Sequence, residues 1–150
     1  MMLRDHTDGN VMLPGLQAQD RREAVAALVD ALHAQGAVVD ARGLLADVLR
    51  REAVGDTDVG LGVAIPHVRS PRVRTPHAAV ATLANPLPGK GQSVNVLILL
   101  VGPENDPRSL LRLLARVVRG LRRPGAVQSL RDAADPGQLL AAFLRFDAAS

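Results

Sequence analysis

The residues best suited to chemistry lie together in Thr57 to Pro71, TDVGLGVAIPHVRSP. Read physically, this is a glycine-flexed turn (Gly60-Leu61-Gly62), a short apolar strand, then Pro66 and His67. Pro66 lacks a ladder donor and is expected to end the strand, which leaves His67 at a strand end where its ring can reach a cleft. Glycines nearby permit close backbone approach and N–H groups turned toward an anion. Arg69, Arg72 and Arg74 follow directly, and Arg51 and Glu52 precede the turn. A neutral imidazole surrounded by guanidinium and backbone donors is what a phosphoryl-accepting histidine requires. The ring is the nucleophile and fixed positive charge stabilises the transferred group. A single histidine after a strand is, by spacing alone, more often an ordinary surface or hydrogen-bonded side chain.

Around this segment, the pattern predicts one α/β domain. Asn10 to Leu13 reads as a short strand stopped by Pro14-Gly15, and residues 1–9 as a flexible polar tail. Asp20 with Glu23 has capping-box spacing, and Ala24, Val25, Leu28, Val29 and Leu32 form one buried stripe, with Gly36 as the stop. Asp40 can cap a second helix that buries Leu44, Leu45, Val48 and Leu49 and ends at Gly55. The β-rich runs are 62–65, 78–84 and 94–101, with 85–93 read as an exposed loop. Val94 to Val101 is almost wholly apolar, as in a central strand covered on both faces. A third helix opens at Asp106-Pro107 and buries Leu110, Leu111, Leu113, Leu114, Val117, Val118 and Leu121. Its other side carries Arg108, Arg112, Arg116, Arg119 and Arg123, read as a solvated face, with an acidic protein partner as the other reading. Two short helices, near 126–133 and from Asp135-Pro136 to about Phe146, finish the chain.

Composition removes several function classes. At 150 residues the chain has room for one domain. It has no Cys, which excludes disulfides, Cys-ligated zinc, iron–sulfur clusters and a Cys nucleophile. Two Phe and no Tyr or Trp argue against base stacking on single-stranded nucleic acid. Of the 18 basic residues only Lys90 is a lysine, so the pI of 10.8 reflects arginine chemistry rather than a large charge; the net charge is +3. No apolar run reaches the roughly 20 residues that span a bilayer, and the start has no signal-peptide core, so a soluble cytoplasmic protein is expected. His6, His33 and His77 are too scattered to suggest a metal site. No dinucleotide fingerprint or Walker-type phosphate loop occurs.

The run T-D-V-G-L-G-V-A-I-P-H, preceded by L-R-R-E, resembles the active-site signature of enzyme IIA of the fructose/mannitol class of the bacterial phosphotransferase system, which includes the nitrogen-regulatory (PtsN-like) paralogue. The resemblance extends over about residues 10 to 146 and takes in the opening helix pair, VNVLILLV followed by GPEN, and LLRLLARVV. It implies a single domain over 10–150, with a mixed β-sheet flanked by helices on both sides. It implies no cofactor and no metal, no nucleic acid and no membrane insertion. The implied activity is that of a phosphocarrier: enzyme I charges an HPr-like carrier, which charges His67, which passes the group to an enzyme IIB or displays it to a regulatory protein. Arg51 matches the arginine of the family's R-E pair, placed to neutralise phosphate, and Thr57 the threonine that opens the glycine turn and orients the site. Gly60, Gly62, Arg69 and Glu104 are the remaining candidates to bind phosphate or line the site, Glu104 because strand-end loops in α/β folds often do so.

Two departures stand out. In the aligned run Leu110-Leu111-Arg112-Leu113-Leu114-Ala115, Leu110 stands where the family usually has a second histidine, and Val68 replaces the glycine after I-P-H. A leucine cannot make the charge-assisted hydrogen bond of that histidine, worth roughly 1.5–3 kcal/mol. The departure keeps a second reading open, a IIA-like regulatory binding module without phosphotransfer. The absence of Cys argues for a stand-alone carrier, since the IIB domain of this class uses one.

Overall fold

A computed structural model describes residues 1–55 and 57–148. The expected end of the domain at residue 150 lies outside them. A mixed five-stranded sheet is flanked by helices on both faces. The strands are β1 (Met12–Leu16), β2 (Val63–Ala64), β3 (His67–Ser70), β4 (His77–Pro88) and β5 (Ser93–Pro103). The helices are α1 (Arg21–Ala34), α2 (Ala41–Val54), α3 (Pro107–Leu121), α4 (Ala126–Asp132) and α5 (Pro136–Leu144). β5 is central: β4 pairs with it antiparallel on one side, and β2 and β3 lie end to end and parallel to it on the other. β1 runs parallel to β4 at the far edge.

The apolar run of β5 is divided by the pleat. Val96, Ile98 and Leu100 join the core under α3 and α5, while Leu97, Leu99 and Val101 join the core under α1 and α2. Helix starts follow the sequence closely. The Asp20 carboxylate accepts from the Glu23 N–H at 2.8 Å and that of Asp40 from the Gly43 N–H at 3.0 Å. Asp106 precedes α3 without a side-chain cap, and the Ser109 hydroxyl donates to its carbonyl instead.

Three expectations are corrected. Pro66 interrupts the β2 edge rather than ending it: its carbonyl accepts from Leu100 N–H at 2.9 Å, and pairing with β5 resumes at His67. An edge position has no partner for the missing N–H, so the proline is tolerated there. The expected loop at 85–93 shrinks to 89–92, because β4 continues through an irregularity to pair Leu87 with Val94 and Pro88 with Ser93. Residues 1–9 do not trail as a tail. Leu3 is buried, its N–H donates to Asp147 at 2.7 Å, and the Thr7 hydroxyl donates to the Ala78 carbonyl at 2.8 Å.

The packed N-terminus half-buries His77 at the start of β4. Burial first, and the nearby His6 second, push the His77 pKa below its ordinary value of 6.5, against an opposing pull from Asp8. The unfolded chain then takes up the proton more readily than the folded one just below 6.5, so acidification through that range favours unfolding. Urea midpoints at pH 7.5 and 5.5 are expected to differ more for the wild type than for His77→Asn. Equal losses in the two proteins would contradict this.

Candidate functional site

His67 is the first residue of β3 and lies opposite Leu100 in register; Arg69 lies opposite Gly102. Residues two apart on a strand share a face, so His67 and Arg69 project on the α3 side of the sheet. Val68 and Ser70 face α2, where the Ser70 hydroxyl donates to Asp47 at 2.6 Å. The imidazole Nδ1 sits 2.7 Å from the Ile65 carbonyl oxygen. A carbonyl only accepts, so in the neutral ring Nδ1 carries the proton and Nε2 keeps its lone pair.

The ring lines a cleft of about 570 Å³ together with Arg51, Val68, Arg69, Glu104, Pro107, Leu110 and Leu111. Four elements build it: the last turn of α2 supplies Arg51, β3 His67, Val68 and Arg69, the segment after β5 Glu104, and the start of α3 Pro107, Leu110 and Leu111. The positive end of the α3 dipole therefore meets a cleft that, among the described residues, holds the guanidiniums of Arg51 and Arg69 and the carboxylate of Glu104. Such a site favours a dianion, and arginine matches the oxygens of a phosphoryl group in bidentate fashion. Leu110 is 6% exposed and packs on Gly102, where even a Cβ would stand 3.1 Å from the leucine Cβ. It presents methyl groups to the cleft beside His67.

The other sequence candidates fall elsewhere. Thr57 is 6% exposed and does not line the cleft. Its hydroxyl accepts from Arg21 at 3.0 Å and donates to Glu52 at 3.1 Å, and its carbonyl accepts from Ile65 N–H at 2.9 Å. Gly60 and Gly62 also lie outside the cleft. They shape the tip of a tight hairpin closed by Val59 N–H to the Val63 carbonyl and Val63 N–H to the Gly60 carbonyl, both at 3.0 Å. Both have positive φ, and a Cβ at Gly62 would approach the Asn95 side-chain nitrogen to 2.9 Å. These glycines serve the turn and not an anion in the cleft. Arg72 is engaged by Asp40 and Asp47, each at 2.9 Å, and Arg74 lines a separate depression with His6 and His77. Leu111, expected in the core, is 63% exposed at the cleft mouth. Among the described residues no group of three or more His, Asp or Glu comes together to hold a metal ion.

Arg21 is the participant that sequence reasoning missed. It stands one residue after the α1 cap, far from the motif, and no spacing links it to His67. Its guanidinium reaches Glu52 at 2.9 Å, Asp58 at 2.7 Å and Thr57 at 3.0 Å. Burial opposes its charge, but the bonds and fields of Asp58 and Glu52 outweigh that and raise its pKa above the usual arginine value. Because Glu52 is committed to Arg21, the neighbouring Arg51 is left to the cleft, with a 3.3 Å bond to the Gly55 carbonyl.

The chain matches the family described as "Phosphoenolpyruvate-dependent sugar phosphotransferase system, EIIA 2" over residues 6–145. The chain belongs to this enzyme IIA family. Its IIA relatives include a nitrogen regulatory protein of Bradyrhizobium diazoefficiens, 32% identical over 90% of both chains. The 2-O-alpha-mannosyl-D-glycerate-specific EIIABC component of Escherichia coli is 33% identical over 82% of this chain, which spans only 20% of that protein. In fold, this IIA chain is similar to the nitrogen regulatory protein IIA-Ntr of Neisseria meningitidis, with a TM-score of 0.83 at 19% identity, covering 93% and 97% of the two chains. IIA mannitol of E. coli gives 0.77 at 15% identity, covering 91% and 97%. A related structure is the complex of E. coli enzyme IIA mannitol with phosphorylated enzyme IIB mannitol, with a TM-score of 0.75 at 15% identity over 91% and 95%. These findings support a IIA-type phosphocarrier or regulatory function, and do not favour a binding module without phosphotransfer. No helix among the described residues is long and apolar enough to cross a membrane.

Replacing Arg21 with Ala removes its charged hydrogen bonds to two mostly buried carboxylates, those of Glu52 and Asp58. A loss of roughly 2–3 kcal/mol in unfolding free energy is expected from the charged hydrogen bonds involved. Denaturant unfolding of Arg21→Ala measures it, and a change below about 0.5 kcal/mol, the usual surface level, would contradict the role assigned to Arg21.

Proposed function

We propose that His67 accepts a phosphoryl group on Nε2 from the phosphohistidine of an HPr-like carrier in the cytoplasm. The group then passes to an enzyme IIB or is read on His67 by a regulatory protein. The observation that carries this reading is the 2.7 Å bond from Nδ1 to the Ile65 carbonyl, within a cleft that also holds Arg51 and Arg69. In the transfer, the Nε2 lone pair forms the new N–P bond as the donor's N–P bond breaks, and the donor ring leaves with that electron pair. No proton has to leave Nε2 before it attacks, because that nitrogen is bare; the phosphorylated ring is cationic while Nδ1 keeps its proton, and the donor ring leaves neutral with a proton on its other nitrogen. The phosphoryl group develops negative charge on its oxygens, and positioning plus electrostatics supply the catalysis. Arg51 and Arg69 carry that charge. Thr57 acts at one remove, through the backbone bond that seats Ile65. Glu104 limits the net positive field and so opposes permanent retention of the dianion.

Incubation with phosphoenolpyruvate, enzyme I and HPr, followed by intact mass, tests this. One phosphate should be gained by the wild type and none by His67→Ala. A folded wild-type protein that gains nothing would overturn the reading.

The leucine in the cleft wall sets the rate. A polar ring at position 110 would add one charge-assisted hydrogen bond to the phosphoryl group, worth roughly 1.5–3 kcal/mol. Leu110→His should therefore label about tenfold faster or more, or hold its phosphate correspondingly longer, in single-turnover transfer. Unchanged labelling and phosphohistidine lifetime would contradict the assigned part of Leu110.

A further inference from the structure

The α3 arginines are not absorbed by the chemistry above. Residues 107–123, PRSLLRLLARVVRGLRR, contain no acidic residue at all. Arg116 pairs with Asp147 at 3.6 Å, and Arg123 is tied to the carbonyls of Arg145 and Ala148. Arg108, Arg112, Arg119 and Arg122 are exposed, and no ion pair is found for them among the described residues. A solvated helix face ordinarily mixes signs and gains from acid–base pairs four apart. Here the pairs four apart, Arg108 with Arg112 and Arg112 with Arg116, are repulsive and weaken the helix instead. The stripe from residue 108 to 122 is roughly 20 Å long at the helical rise, the scale of a protein contact rather than of a small anion.

Its position gives it a use. The stripe begins at the cleft mouth, where exposed Leu111 and Pro107 stand between it and the exposed Arg69. An apolar centre with a charged rim is the layout of a docking surface. We infer that the exposed face of α3, centred on Leu111 and rimmed by Arg69, Arg108, Arg112 and Arg119, docks the acidic face of the protein that exchanges phosphoryl groups with His67. This inference rests on the phosphoryl-acceptor reading and adds the sign of the partner's surface. Arginine forks suit carboxylates in pairs, and opposite charge steers the encounter so that the partner's phosphoryl group arrives over the cleft. A nucleic-acid partner fits less well. The centre of the patch is aliphatic, and both phenylalanines are buried under α3 and α5 rather than presented for stacking.

The test separates docking from chemistry with two phosphoryl donors. Phosphoramidate, a small donor that releases ammonia as its N–P bond breaks, reads the cleft alone, whereas phospho-HPr reads cleft and surface together. The doubly charge-reversed Arg112→Glu/Arg119→Glu protein should label at the wild-type rate with phosphoramidate and at least tenfold more slowly with phospho-HPr. The wild-type phospho-HPr rate should fall with added salt and that of the variant should not. Equal phospho-HPr rates, or equal salt dependence, in the two folded proteins would overturn the docking face. Equal slowing with both donors would overturn it as well, because the arginines would then act on the chemistry. Failure of the wild type to label with either donor sinks the phosphoryl-acceptor reading instead. In that case amide shifts on addition of poly-L-glutamate, confined to Leu111, Arg112, Arg119 and Arg69, would keep the acidic-partner surface. Absent shifts, or stronger shifts with a single-stranded oligonucleotide, would remove it.

Discussion

The site depends on one hydrogen bond, from the Nδ1–H of His67 to the carbonyl of Ile65. The intervening Pro66 is what makes it dependable. A residue before proline is held in extended backbone, so the direction of the Ile65 carbonyl is restricted before any packing is considered. The segment is then pinned on both sides: Ile65 N–H donates to Thr57 and the Pro66 carbonyl accepts from Leu100, each at 2.9 Å. A ring held this way has one tautomer and one nitrogen with a lone pair to offer.

The electrostatics of the cleft follow from how neighbouring charges are used up. Glu52 is next in sequence to Arg51 and would be its natural partner, yet its carboxylate binds Arg21 and Thr57. Asp47 binds Ser70, Arg72 and Arg50 and not Arg69. Glu52 and Asp47 are thus engaged away from the cleft, and among the described residues Arg51 and Arg69 share it with Glu104 as the one acid. Leu110 removes a polar neighbour from the same cleft. On the proposed reading, the charge of a bound dianion would fall on Arg51, Arg69 and the first turn of α3, a wall with fewer donors than one with a second imidazole.

Much of this was legible in the sequence because it rests on local rules. Asp20 and Asp40 announce helix starts, the apolar run in β5 announces a strand covered on both faces, and the Ile65-Pro66-His67 tripeptide places a histidine at a strand boundary. Arg51, Arg69 and Glu104 were found by adjacency to strand and helix ends, and they do share the cleft with His67. What the sequence did not show is non-local. Gly60 and Gly62 look like anion-binding glycines, yet they shape the tip of a hairpin and do not line the cleft of His67. Thr57 faces a guanidinium from a helix that precedes it by more than thirty residues, which no spacing encodes. Leu111 and Leu110 are indistinguishable by type, and only the rotation of α3 puts one against Gly102 and the other at the mouth.

The account stands most directly on the tautomer of one ring. Long-range ¹⁵N–¹H correlation spectra of the imidazole, recorded above neutral pH on the unphosphorylated protein, report which nitrogen of His67 carries the proton. A protonated Nδ1 with a bare, pyridine-type Nε2 is the predicted result. A protonated Nε2, or rapid averaging between the two forms, would mean that the Ile65 carbonyl does not hold the ring and would contradict the account.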